Sequence, residues 1–307
     1  MSDVAERIPR DGTVHAQAGA AAGSGKGRRF VRDVAWRHLV AVAAVLFALY
    51  PIVWVVSASI NPSGSLAGQK LIPSSPTMHN YRFLLTSQDF PFTRWLVNSL
   101  WIAAVASASI TFLGAIAAYA FSLMRFRGRR PGLLVMLLVQ IFPASLAAIS
   151  LFLLLVSLGN VFGPFNGKWG LVLVYVGTGL GLNIWLMKGF FDTIPISLDE
   201  SARVDGASHA QIFFQIVLPL VAPILAVVGL IAFVFIQNDV LLPSVMLKQP
   251  KDFTLAVGLF RFVSQRYGAR WGPFSAGAIM GGVPVVALWF GLQRYIVSGL
   301  TAGSVKG

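Results

Sequence analysis

The sequence predicts an all-α membrane protein of six transmembrane helices, with a helix–Gly–helix segment between the fourth and fifth. Three observations carry this. Six apolar runs lack Asp, Glu, Lys and Arg. Of the 307 residues, 11% are charged and 56% hydrophobic, whereas a soluble domain carries about 25% charged residues. The mean hydropathy is +0.74, which leaves too little polar surface to solvate a globule.

A helix needs about 20 apolar residues to cross the ~30 Å hydrocarbon core. Leu39–Ile60 is the first such run. It is longer than the 7–15-residue core of a signal peptide, so it reads as an uncleaved helix. Trp95–Met124 is the second. Pro131–Gly167 is the third, apolar mainly over 132–155. Trp169–Met187, Ile212–Asn238 and Trp271–Gln293 are the fourth, fifth and sixth. Small residues within them, such as the Gly277/Gly281 pair, permit close helix approach. Pro51, Pro143, Pro219, Pro223 and Pro284 each remove a helical hydrogen bond and mark possible bends.

Six spans put both termini on one side, and basic loops mark the cytoplasm. Residues 1–37 carry Arg7, Arg10, Lys26, Arg28, Arg29, Arg32 and Arg37, and the loop after span two carries Arg125, Arg127, Arg129 and Arg130. Both fall on the same side, so the termini are expected in the cytoplasm of a bacterial inner membrane protein. The 239–270 segment, also basic, disagrees, but long loops obey the rule weakly. The net charge of +13 is therefore mostly topological, and nucleic acid is not an expected partner.

Residues 1–37 read as a flexible tail rich in Ala, Gly and charge, ahead of a permease-like domain over 38–307. The tail's Gly23-Ser-Gly-Lys26-Gly27 superficially suggests a phosphate loop, but Ala20 and Gly27 stand where that motif needs Gly and Ser or Thr. The six runs hold no ionisable residue at their apolar centres, which disfavours proton- or ion-driven transport. Zero Cys removes thiolate chemistry, and no His/Asp/Glu cluster offers a metal site or an acid–base pair. No catalytic, cofactor or metal site is expected on this chain.

The segment at about 192–217 is too elaborate for a passive connection. Ser197 and Glu200 have capping-box spacing after Pro195. Gly206 suits a helix stop. Ser208 and Gln211 repeat the box before Ile212, Phe213 and Ile216. Asp192, Asp199, Glu200 and Asp205 against Lys188 and Arg203 make this the one net-acidic island.

Glu200-Ser201-Ala202, Gly206 six residues after the Glu, and Ile216-Val217-Leu218-Pro219 resemble the EAA motif, E-A-A-x3-G-x9-I-x-L-P, of the permease subunits of binding-protein-dependent ABC importers. Ser201, where the family has Ala, is the one departure. The resemblance extends to Asp252-Phe-Thr-Leu-Ala-Val-Gly258, Trp271-Gly272 and the terminal Gly299–Gly307, which look like the shorter membrane subunit of maltose/maltodextrin importers. It covers the chain from about residue 40 onward.

The resemblance implies the ABC type I importer permease fold. It implies a sugar permease, for maltose or malto-oligosaccharides in the first instance, that is no enzyme itself. The implied partners are a homologous second permease subunit, a cytoplasmic ABC ATPase dimer that binds the ATP and Mg, and an extracytoplasmic sugar-binding protein. Glu200, Ser201, Ala202, Asp205 and Gly206 carry over as the ATPase-coupling residues, and Thr301, Gly303 and Lys306 as a C-terminal ATPase contact. The loop before span six, about 241–270, would touch the binding protein. Glu200 could alternatively only cap its own helix, and Asp205 could be a plain solvated charge. An acidic knuckle also implies a basic groove on the ATPase. The alternatives are a permease for another sugar such as trehalose, a facilitator working alone, or a non-transporting membrane scaffold. Residue types alone name no sugar contact.

Overall fold

The computed structural model describes residues 15–62, 69–143, 146–162, 167–264 and 269–302, and within them no strand occurs. Helices are obligatory where no water is present to satisfy backbone groups, because each closes its own hydrogen bonds.

The chain divides into two units after Val55. The first is the body of α1 (His15–Ser59). Its Val34–Ser59 part is long and apolar enough to cross a membrane. Residues 15–37, expected as a flexible tail, are helical here; Ala16, Ala18 and Ala20–Ala22 are strong helix formers. Residues 1–14 lie outside the described residues.

The second unit is organised around α3 (Phe92–Leu123), preceded by the short α2 (His79–Thr86). Next come α4 (Arg129–Ile141), α5 (Ala148–Phe162) and α6 (Lys168–Phe191). α7 (Ile196–Val204) is short, and α8 (His209–Asn238) is long, with one wide π turn at Ile212–Val217. α9 (Leu241–Met246), α10 (Leu255–Val263) and α11 (Trp271–Ala302) complete it.

The expectation of six unbroken spans is corrected. Among the described residues, five helices are long and apolar enough to span: 26 residues of α1, then α3, α6, α8 and 25 residues of α11. The third run is divided into α4, of 13 residues, and α5, of 15. The cause is Pro143. The residue before a proline is pushed out of the helical region, and Phe142 is extended at φ −77°, ψ 120°. The fourth run, shortest in sequence, forms an intact 24-residue α6.

Small residues let α6 sit close to its neighbours. A Cβ at Gly179 would lie 2.8 Å from Ile110 Cδ1 of α3, and one at Gly181 would lie 2.7 Å from Gln140 Nε2 of α4. Three apolar clusters form the core. One joins the middle of α3 and α6 to α8 and α9. A second gathers the ends of α3 and α6 with α7 and the start of α8. A third packs α2 and the start of α3 against α10 and α11. Elsewhere the spans turn Phe112, Ile116, Leu173, Leu182, Ile231, Phe235 and Val286 outward. Such faces suit lipid or another membrane subunit, not water.

The segment before α11, expected as an exposed loop, is largely helical and fastened to α3. Trp95 Nε1 donates to the Pro250 carbonyl at 2.7 Å, and Asn98 Nδ2 donates to the carbonyls of Lys251 and Phe253, both at 3.1 Å. The Leu255 N–H donates to Ser99 Oγ at 2.7 Å. Lys168 completes this clasp with an ion pair to Asp252 at 3.4 Å.

Candidate functional site

The acidic segment folds as a helix–Gly–helix knuckle. α7 ends in a Schellman arrangement, in which the Ala207 N–H donates to the Ala202 carbonyl at 2.9 Å and the Gly206 N–H to the Arg203 carbonyl at 3.0 Å. The turn requires a left-handed residue, and Gly206 supplies it at φ +82°. Ser208 then caps α8: its Oγ accepts from the Gln211 N–H at 3.3 Å, and Gln211 Oε1 accepts from the Ser208 N–H at 2.8 Å. Both features follow the sequence expectation.

The Ser197–Glu200 box does not form. Pro195, extended at φ −60°, ψ 128°, is the N-cap of α7, with no side-chain cap. Ser197 therefore already lies inside the first turn, where its carbonyl accepts from Ser201 Oγ at 2.8 Å. That bond also explains how Ser stands where the motif has Ala: the hydroxyl is satisfied within the helix. Glu200, free of any capping role, is exposed, as are Asp205 and Gly206. Ala202 is buried in the second cluster, where a small side chain lets α7 approach the ends of the spans.

α7 is anchored by residues that sequence reasoning did not single out. Asp199 is 5% exposed. Its Oδ1 accepts from the Tyr119 hydroxyl of α3 at 3.1 Å, and its Oδ2 pairs with Arg203 at 2.7 Å. The Tyr119 ring meets Phe213 of α8 with centroids 5.3 Å apart, so one tyrosine touches both arms of the knuckle. At the end of α6, Asp192 accepts from Ser122 Oγ and pairs with Lys188. Arg129 donates to the Ser122 carbonyl at 2.9 Å. Burial pushes the Asp192 carboxyl up, but the Lys188 and Ser122 hydrogen bonds and the Lys188 and Arg129 charges together hold it below the usual carboxylate value.

The outward face of the knuckle is mixed. Glu200 and Asp205 supply charge, while Ile196, Leu198 and above all Val204, 88% exposed, supply apolar surface. The sequence signal for Asp199 was only its place in the acidic island, and for Val204 there was none. The C-terminal residues Gly303 and Lys306 lie outside the described residues, as does the side chain of Thr301. Among the described residues, no group of three or more His, Asp or Glu side chains could hold a metal ion.

Residues 110–301 match the family described as "Binding-protein-dependent transport system inner membrane component". The chain belongs to this family. It is 41% identical to the "Galactooligosaccharides transport system permease protein GanQ" of Bacillus subtilis (strain 168), over 92% of this chain and 98% of that one. It is 36% identical to the "Maltose/maltodextrin transport system permease protein MalG" of Vibrio parahaemolyticus, over 88% and 95% of the two chains. Among solved structures, a chain of a bacterial ABC transporter "involved in the import of the acidic polysaccharide alginate" superposes with a TM-score of 0.72 at 24% identity, over 87% of this chain and 98% of that one. That likeness bears on the fold, and it agrees with the resemblance drawn from the EAA motif. As a family member the chain is a multi-pass membrane permease subunit.

Proposed function

We propose that this permease subunit forms half of the path of an ABC importer for oligosaccharides, and that its knuckle couples the path to a separate ATPase dimer. The observation that carries the sugar class is that the relatives named for galacto-oligosaccharides and for maltodextrins both align over about nine-tenths of this chain. In this reading a second, homologous permease completes the path. An extracytoplasmic binding protein delivers the sugar. ATP and Mg are bound by the ATPase, and both termini and the knuckle face the cytoplasm.

The geometry supplies a mechanical basis. When the ATPase dimer closes, a rigid helix pair transmits its displacement better than a loop. α7 is held by the Schellman turn, by Tyr119–Asp199 and by Ala202 in the apolar cluster. α8 continues into the membrane without a break in helical structure. The π turn at 212–217 stands before Pro219, which has no N–H to offer the Gln215 carbonyl. Force on Glu200, Val204 or Asp205 is then delivered to α3 and α8 together. The ATPase from inside and the binding protein from outside bias one two-state equilibrium of the path.

The test is reconstitution of the complete transporter in proteoliposomes. ATP hydrolysis and uptake are measured with binding protein loaded with malto-oligosaccharide, galacto-oligosaccharide or trehalose. Stimulation by an oligosaccharide is the expected result; stimulation by trehalose alone, or by no sugar, defeats the assignment. Glu200→Ala should lower uptake per ATP hydrolysed while the complex still assembles. An unchanged ratio removes the coupling role.

A further inference from the structure

At the end of α8 opposite the knuckle, Gln237 is 7% exposed, and both its Oε1 and its Nε2 lack a hydrogen-bond partner. A buried primary amide with neither end satisfied is rare, because the desolvation cost of each end goes uncompensated. Its neighbours are engaged. Asn238 Nδ2 donates to the Val234 carbonyl at 2.8 Å. Asp239 accepts from the Tyr175 hydroxyl at 2.9 Å and from the Leu241 N–H at 2.8 Å.

Gln237 lines a cavity of about 480 Å³ between α8, α10 and α11, within the range of small-molecule sites. Gly281 and Gly282 leave the α11 wall open, and the rings of Phe260 and Phe274 form part of the lining. No charged residue lines it, so an ionic ligand would find no counter-charge. A neutral ligand with adjacent donors and acceptors fits: the amide offers one carbonyl and two N–H bonds, and the aromatic faces suit sugar C–H groups.

We propose that Gln237 is a hydrogen-bonding contact for the transported saccharide, in a subsite between α8, α10 and α11. This rests on the oligosaccharide-importer reading above. An amide that contacts passing hydroxyls stays unsatisfied in the empty protein and is satisfied only when sugar is present.

The test uses the complete reconstituted transporter with Gln237→Leu, which keeps the volume and removes the hydrogen bonds, and with Gln237→Asn. Uptake kinetics, complex assembly and basal ATP hydrolysis are read together. Gln237→Leu should assemble and hydrolyse ATP at the basal rate but lose about tenfold in uptake efficiency, with partial recovery in Gln237→Asn. Unchanged uptake in Gln237→Leu overturns the subsite alone. Loss of assembly in Gln237→Leu assigns the amide to a subunit contact and also overturns it. A wild-type complex that imports no saccharide overturns the importer reading itself, and the subsite with it.

Discussion

The hydroxyl of Tyr119, near the end of α3, donates to the buried carboxylate of Asp199 in α7 across 80 positions of sequence. It is the one side-chain bond from a membrane span to α7 among the described residues, and it makes a specific demand. A hydrogen bond to a charged group contributes about 1.5–3 kcal/mol. Tyr119→Phe removes it while keeping the ring against Phe213. Thermal unfolding in detergent should shift down, and uptake per ATP hydrolysed should fall more than ATP hydrolysis itself. A variant that unfolds earlier yet keeps the wild-type ratio would limit Tyr119 to a structural role.

Much of the knuckle was legible in the sequence because its determinants are local. The Gly206 stop and the Ser208–Gln211 box each involve residues within five positions of one another. The Ser197–Glu200 box failed for an equally local reason: Pro195 took the cap two residues earlier. What was illegible is what the fold alone brings together. Nothing in the neighbourhood of Asp199 distinguishes it from Glu200, yet one faces inward to Tyr119 and the other faces solvent. The break in the third span had its signal in Pro143, but span-counting by hydropathy passes over a single proline. The orphaned amide of Gln237 is visible only once its surroundings are known.

Gly206 separates strain from space. Its φ is +82°, and a Cβ there would meet nothing within 4 Å. Gly206→Ala should therefore cost only left-handed backbone strain, about 1–2 kcal/mol. Gly206→Asn should cost less, since Asn tolerates that region. Gly206→Pro should be worst, because it cannot adopt that φ and also loses the N–H donated to Arg203. Uptake per ATP hydrolysed should follow the order Gly, Asn, Ala, Pro. Equal ratios across the series would show that the turn is not needed for coupling.

Asp192 gives a pH dependence with a defined sign. Its carboxyl is held below the ordinary value of 3.8. Folding therefore gains from it fully above that value, and the gain is lost as pH falls through the lower folded-state value. The group is partly exposed, so solvent screens the effect. Wild type should unfold at a higher temperature than Asp192→Asn at pH 6, with the gap shrinking below about pH 4. A gap independent of pH would mean that the Lys188 and Arg129 charges do not act on this carboxyl.

The opposite end of the unit predicts a contrast between two glycines. A Cβ at Gly258 of α10 would lie 2.1 Å from Trp95 Cε3, so the ring or the helix must move. The ring is not free to do so. It is fully buried, its Nε1 is bonded to the Pro250 carbonyl, and Phe90 and Phe262 meet it edge-on with centroids at 6.3 Å and 6.4 Å. Overpacking of this kind costs about 1–3 kcal/mol or more. Gly177, in the interior of α6, meets nothing within 4 Å. There, replacement by Ala should gain up to about 1 kcal/mol of helix propensity. Gly258→Ala should thus lower the unfolding temperature and loosen the 250–255 clasp, seen as faster amide exchange at Leu255. Gly177→Ala should hold or raise the unfolding temperature. If the two variants behave alike, the close packing of α10 on Trp95 is not what fixes the clasp.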